Sequence, residues 1–376
     1  MTLFILFVFG IYGGVHAYVF VKARQAFGFS WVAGIALALF MLLMVAAVFL
    51  VHWLEDRDLE LPARTLAYIA YLWMAVLFLF FCGSLSLDVV NMLLRVPGWF
   101  GAMPLPLIQP RIAFALSLSV ASLISIYGFF DAQNVCTERL VLQTDRLPQG
   151  IDRFTIAQIS DVHLGLIIRC DRLVGILEKV KEAKPDIFIS TGDLVDAQIN
   201  HLSGLRELLQ DIKAPYGKYA ITGNHEYYAG IGKSVAFTES AGFTMLRGES
   251  KDIGPIAIAG VDDRTAVQVH EPRPAPDSVA LAGTNRSRKF VLFLKHQPHP
   301  DPDAIGMYDL MLSGHTHKGQ IWPFYYFVKP AHPFIAGRYD IGKGSIVYTS
   351  RGSGTWGPPV RFLSHPEVTV IELVRK

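Results

Sequence analysis

The spacing of apolar positions changes character about a third of the way along the 376-residue chain. Before Asp131 the apolar residues come in long unbroken runs, Leu3–Val21, Trp31–Trp53, Leu66–Leu87 and Ile112–Phe130. Each is close to the roughly 20 residues a helix needs to cross the hydrocarbon core of a bilayer. The pattern predicts an all-α region of four transmembrane helices. Trp31 and Trp53 flank the second run as interfacial anchors do. The first run lacks the basic start and cleavage site of a signal peptide. Lysines and arginines near the span ends number four on each side: Lys22, Arg24, Arg95 and Arg111 against Arg57, Arg64, Arg139 and Arg146. The positive-inside rule therefore leaves the orientation undecided. Gly10 and Gly14 are read as ordinary glycines rather than a packing motif, His16 as structural and His52 as interfacial. Asp88–Phe100 fits either a surface-lying segment or a connecting loop with a short helix.

After Gly150 short apolar runs alternate with stretches of helical period. Phe154–Ser160, Ile187–Ser190, Lys218–Ile221, Ile256–Ala259, Phe290–Leu294, Tyr308–Leu312, Ile346–Thr349 and Val368–Val374 read as strands. Leu173, Ile176, Leu177 and Val180 mark one helix, with Asp171 as its N-cap and Pro185 beyond its end. Leu202, Leu205, Leu209 and Ile212 mark another. Alternating strands and helices followed by a strand-rich end predict a layered α/β domain. The expected organisation is a membrane region over 1–131, a linker and first strand over 132–152, and an α/β domain over 153–376.

Composition agrees with this division. Hydrophobic residues make up 52% and charged residues 18%, below the quarter usual in soluble proteins. The net charge of +2 and the absence of a Lys/Arg run give no reason to expect a nucleic-acid partner. Cys82, Cys136 and Cys170 form neither a metal-binding spacing nor a disulfide framework.

The chemistry lies just past the predicted strands. Successive strands end in Asp161-Val162-His163, Gly192-Asp193, Gly223-Asn224-His225-Glu226, His296-Gln297-Pro298 and Gly314-His315-Thr316-His317. Ligands of α/β sheets gather at the carboxyl ends of strands, so residues far apart in sequence can converge. Two Asp, one Asn and four His favour a pair of transition-metal ions, which can clamp a phosphate and activate water. Each motif alone is weak; five in order, each after an apolar strand, are strong together.

This order, DVHLG, GD, GNHE, HQP, GHTH, resembles the calcineurin-like metallophosphoesterase family over about Arg153–Lys376. The tail Tyr348–Gly357 is similar to the bacterial membrane-associated branch of that family. The resemblance implies an α/β/β/α domain and two divalent ions (Mn, Fe or Zn). Carried over, Asp161, His163 and His317 would hold the first ion and Asp193 would bridge. Asn224, His296 and His315 would complete the second. His225 would face the phosphate and assist the leaving oxygen, with Glu226, and also Asp196, behind the ligands. Lys318 stands where glycine is common in the branch and is read as solvated. Arg169 and Arg351 are weaker candidates for phosphate contact. His201, His270, His299, His332 and His365 match no ligand motif. Tyr325-Tyr326-Phe327 could line a groove, meet lipid or pack in the core.

The implied activity is hydrolysis of phosphate esters, at a multi-pass cell-membrane location whose face is undecided. Phospholipids and nucleotide-linked glycolipid precursors are candidate substrates. A regulatory membrane protein that keeps the metal fold as a scaffold is the alternative. A transporter fits poorly, because the spans hold almost no charge.

Overall fold

The structure is a computed structural model and describes residues 2–100, 103, 105–196, 202 and 204–376. Compactness divides the chain into Met1–Phe130 with Gly357–Val360, and Asp131–Trp356 with Arg361–Lys376.

The first unit holds the helices α1 (Thr2–Phe27), α2 (Trp31–Glu55), α3 (Glu60–Trp99) and α4 (Pro110–Asp131). Among the described residues, α2, α3 and α4 are long and apolar enough to cross a membrane. The remaining expected span, Leu3–Val21, falls within α1, the side chains of whose first turns lie outside the described residues. Ser30 caps α2 by accepting from the Ala33 amide. The third span runs further than expected. Asp88–Phe100 is neither a separate surface segment nor a loop, because α3 continues unbroken through 40 residues. Asp88, Asn91 and Arg95 interrupt the hydropathy but not the helix, which stops two residues after Pro97. His16 is structural: its Nδ1 bonds to the Tyr12 carbonyl at 2.8 Å, and Trp73 Nε1 donates to its Nε2 at 2.9 Å.

The second unit contains β1 (Cys136–Thr144), β2 (Arg153–Ile159), β3 (Ile187–Ser190), β4 (Lys218–Ala220), β5 (Thr244–Met245) and β6 (Glu249–Asp252). These are followed by β7 (Ile256–Gly260), β8 (Phe290–Leu294), β9 (Leu310–Ser313), β10 (Gly337–Asp340), β11 (Ile346–Thr349) and β12 (Glu367–Arg375). They form two six-stranded sheets, in the orders β1-β12-β2-β3-β4-β5 and β10-β11-β9-β8-β7-β6. Strands β2 to β5 run parallel in the first sheet, as do β7, β8, β9 and β11 in the second. Strand β1 adds a parallel edge beside β12, with Cys136 opposite Glu367.

Alternation along the strands creates the core. Phe154, Ile156, Ile187 and Ile189 of the first sheet belong to one buried cluster with Ile256, Ile258, Leu292, Leu294, Leu310 and Leu312 of the second. The two sheets therefore pack face to face. The intervening residues of the second sheet, among them Ala257, Val291, Phe293 and Met311, pack in a separate cluster on its other face. The helix α5 (Cys170–Ala183) covers β2 and β12 of the first sheet with Leu173, Ile176, Leu177 and Val180. Helices outside two stacked sheets are the expected α/β/β/α layering. Asp171 lies in the first turn of α5; its N-cap is Arg169, in extended conformation and without a side-chain cap.

Candidate metal centre

Five strands of the double sheet end at one place. β2 leads into Asp161 and His163, β3 into Asp193, β4 into Asn224 and His225, β8 into His296, and β9 into His315 and His317. The turns that deliver them are tight. Asp161, His163, Asp193, His315 and His317 have φ of 52°, 54°, 51°, 72° and 47°. A non-glycine residue held in this left-handed region costs about 1–3 kcal/mol and persists only where the surroundings dictate it. Five such residues in one site mark a cluster that the fold is built to hold. The backbone is equally close: a Cβ on Gly314 would stand 1.9 Å from Ser160 Oγ and 2.2 Å from Asp161 Oδ2. Lys318 also has a left-handed φ of 51°, a conformation glycine adopts without strain, and its side chain is half-buried.

All seven side chains expected as ligands converge. Asp161, His163 and His317 form one group able to hold a metal ion, and Asp193, His296 and His315 another, each with its ligand atoms within 4.8 Å of one another. In the first group His317 Nε2 lies 3.1 Å from His163 Nε2 and 3.5 Å from Asp161 Oδ1. In the second, His296 Nε2 lies 3.2 Å from Asp193 Oδ2, and Asn224 Oδ1 is 2.9 Å from His315 Nδ1 and 3.3 Å from His296 Nε2. His163 Nε2 is 3.9 Å from Asp193 Oδ2, which links the groups.

The hydrogen-bond pattern suits a cation. His296 Nδ1 donates to the Thr191 carbonyl at 2.8 Å, which aims its other nitrogen at Asp193. Two lone-pair atoms this close need a positive charge between them. Burial alone would lower the pKa of His296, but the Asp193 carboxylate beside it raises it well above the ordinary histidine range. In the first group Arg361 Nη2 lies 3.0 Å from His317 Nδ1, and His317 Nε2 faces His163 Nε2. His163 Nδ1 is buried without a hydrogen-bond partner. In both groups ligand atoms face one another at the spacing that a shared cation would occupy.

Burial sets the remaining charges. It pushes Asp161 up to about 6 and His163 down to about 4, and it holds His315 and His317 well below the ordinary value. Burial would also raise Asp193, but the charges of His296 and His225 hold it well below the usual carboxylate range. Glu226, pushed up to about 7 by burial and by Asp193, accepts from the amides of Gly223 at 2.6 Å, Leu194 at 2.8 Å and Asp193 at 2.9 Å. It clamps the β3 and β4 turns together behind the ligands.

His225 stands apart. It groups with His163 and Asp193 as a third possible cluster, yet its Nδ1 is taken by Asp196 Oδ1 at 3.0 Å. Burial would lower its pKa; the carboxylates of Asp193 and Asp196 raise it to about 9. Those carboxylates favour the protonated, donating form of the ring, which is bordered by the half-exposed rings of Tyr228 at 5.3 Å and Trp356 at 5.7 Å.

Other candidates resolve differently. Arg351 is engaged by Glu367 at 2.6 Å and Glu138 at 3.0 Å, so it braces β1 and β12 rather than meeting phosphate. His299 and His332 bond to each other at 3.0 Å, and the His332 ring packs on His315 at 4.9 Å, so this pair borders the site. His365 pairs with Asp131 at 2.5 Å, and exposed His270 ends a 3-10 turn. His201 lies outside the described residues. Tyr326 and Phe327 are exposed on a short helix with no buried residue, which excludes core packing. Arg361, unsuspected from the sequence, is fully buried and donates to the carbonyls of Gly354 at 2.5 Å and Arg351 at 2.7 Å. Nothing in its neighbours Val360 and Phe362 signals that role.

The model of the calcineurin-like phosphoesterase family matches residues 154–319, the stretch that carries these turns. An uncharacterized metallophosphoesterase of Aquifex aeolicus is 35% identical over 68% of the chain and 98% of its own length. The chain belongs to the calcineurin-like metallophosphoesterase family. A second uncharacterized metallophosphoesterase, from Campylobacter jejuni, is 30% identical over 100% of this metallophosphoesterase and 99% of its own length, so that match extends through the helices. A transmembrane protein with metallophosphoesterase domain from Danio rerio is 32% identical over 69% of the chain and 62% of its own. Membership makes the chain a phosphate-ester hydrolase with histidine and aspartate clusters able to bind metal ions.

Proposed function

We propose that the chain is a membrane-anchored hydrolase of phosphodiester, pyrophosphate or phosphomonoester bonds that works with two divalent ions. Asp161, His163 and His317 would hold one ion, Asn224, His296 and His315 the second, and Asp193 both. The observation that carries this reading is the convergence of these groups at five strand ends, the Asp and His members within 4.8 Å of one another in each cluster and Asn224 Oδ1 within 3.3 Å of His296 and His315. The mixed nitrogen and oxygen donors suit Mn, Fe or Zn. When bound, such ions supply Lewis acidity toward phosphoryl oxygens and lower the pKa of water.

The chain's own residues supply the rest. His225 holds a proton for the departing oxygen and presents positive charge to the phosphate. Asp196 fixes the ring through Nδ1. Tyr228 and Trp356 border the side from which the leaving group departs. The apolar helices, the full-length match to the Campylobacter jejuni protein and the name of the Danio rerio relative support a multi-pass location in the cell membrane. That location favours a lipid-linked substrate, a phospholipid or a nucleotide-linked glycolipid precursor. The complete ligand set speaks against an inert scaffold.

The purified chain with Mn²⁺ should hydrolyse bis-p-nitrophenyl phosphate, and a chelator should stop it. Equal turnover before and after complete metal removal would refute the reading.

The pH profile carries a second expectation. A donor with a raised pKa is protonated below that value and lost above it. Turnover should therefore fall as pH rises through about 9, or somewhat lower once bound cations repel the imidazolium charge. Asp196→Asn removes a carboxylate that stabilises the proton, so its alkaline limb should move to lower pH. Superimposable pH–rate curves for the two proteins would contradict the assignment of His225.

A further inference from the structure

The helical unit holds a cavity of about 610 Å³ among α1, α3 and α4. Its walls carry Lys22, Asp88 and Arg95, although α3 has no charged residue between Arg64 and Asp88 and α1 none before Lys22. All three lie just past the ends of the apolar spans Leu3–Val21 and Leu66–Leu87, where charged side chains meet lipid headgroups.

The charges are unequal. Lys22 Nζ lies 2.5 Å from Asp88 Oδ1, and Tyr18 donates to Asp88 Oδ2 at 2.7 Å. Both oxygens of Asp88 are thus engaged from within the unit. Among the described residues no carboxylate pairs with Arg95. Two cations and one anion leave the cavity with one spare positive charge, and Gln25 and Gln109 add amide groups to the wall. Met92, Leu107 and Phe114 make the other side apolar. A volume of this size falls within the range of small-ligand sites, roughly 300–1,000 Å³. A spare cation beside hydrocarbon, in helices suited to a bilayer, matches a ligand with an anionic head and an apolar tail.

We propose that this cavity binds the phosphate headgroup of an anionic phospholipid, with Arg95 as the pairing cation. Asp88, engaged on both oxygens, offers nothing to a headgroup amine, so phosphatidylglycerol should be preferred to a zwitterionic lipid. The proposal rests on the membrane reading above and is independent of the hydrolytic one.

The test uses the full chain in detergent, with phosphatidylglycerol, phosphatidylcholine and inorganic phosphate as probes and thermal shift and native mass spectrometry as readouts. Phosphatidylglycerol should bind and stabilise the chain, and phosphatidylcholine should do so less. Arg95→Gln should bind phosphatidylglycerol about five-fold more weakly, the weight of one cation near a lipid surface. Met92→Glu, an exposed wall position, should weaken it similarly, which keeps the test open if either variant folds poorly. Arg57→Gln, an exposed arginine outside the cavity, should bind as the parent does. Equal binding by the parent and both cavity variants would overturn the proposal, as would equal affinity for phosphatidylcholine. Stabilisation by inorganic phosphate alone to the same extent would assign the site to a soluble anion and also overturn it. Release of the chain from membranes by alkaline carbonate would refute the membrane reading itself, and the cavity proposal with it.

Discussion

Asp193→Ala should reduce hydrolysis of bis-p-nitrophenyl phosphate by more than about 100-fold, beyond the range seen when only the residues supporting a metal ligand are altered. Asp193 is the member shared between the group with His163 and His225 and the group with His296 and His315. No other side chain of the site takes part in both sides of the cluster through a carboxylate. Its charge also raises His225 and His296, so its removal lowers the affinity of the pocket for any cation and releases the proton that His225 holds. The Asp193 side chain accepts the His225 amide at 2.8 Å, but the amides of Asp193, Leu194 and Val195 are held by Glu226, so the variant should still fold. Steady-state rates at saturating Mn²⁺, with a thermal melt of the same sample, check this. A folded variant with near-parental turnover would remove the site from the mechanism.

Arg361→Met should lower stability by about 3–5 kcal/mol, since a buried carbonyl left without its donor costs about 1–3 kcal/mol and at least two are affected. Those two are Gly354 O and Arg351 O, reached by Arg361 at 2.5 and 2.7 Å; the carbonyls of His317 and Ser364 lie 3.3 and 3.4 Å from the same guanidinium. The guanidinium is fully buried, and burial drags its pKa down to about 9, so its charge is tolerated only because these oxygens surround it. For a domain of this size the loss corresponds to a fall in Tm of about 10 °C. Arg361 also holds His317 in place, 3.0 Å from its ring Nδ1 and 3.3 Å from its carbonyl, so a displaced His317 should make divalent ions bind the variant more weakly as well. Differential scanning calorimetry with and without Mn²⁺ separates the two effects. A Tm within about 2 °C of the parent would show that the arginine is not what ties the last loop to the site.

The contrast between these residues shows what was legible in the sequence. Asp193 could be found because it follows an apolar strand directly and a glycine precedes it; strand, turn and ligand are neighbours in the chain. His163, His296 and His317 also lie within four residues of a strand end, although no glycine directly precedes them. Arg361 could not be found, because its partners at His317 and Gly354 are brought to it only by folding. The strands show the same divide. Ile187–Ser190 and Phe290–Leu294 are buried along their whole length and apolar but for Ser190, and were legible to the residue. Glu249–Asp252 is a polar edge strand at the end of its sheet, and Thr244–Met245 has two residues; neither carries a period that could announce it. In the helical unit the polar residues of α3 disguised the continuation of a helix that contains no breaker between Asp88 and Pro97. His299 and His332 looked ordinary because the signal that sets them apart, packing against His315, is tertiary.

The side chains at five strand ends should share two metal ions, which anomalous diffraction from crystals soaked in Mn²⁺ would locate. Two anomalous peaks about 3.5–4 Å apart are expected, one among Asp161, His163 and His317 and one among Asn224, His296 and His315, with Asp193 reaching both. A fully soaked crystal with no peak within bonding distance of Asp193, or with a lone ion held by His225, would contradict it.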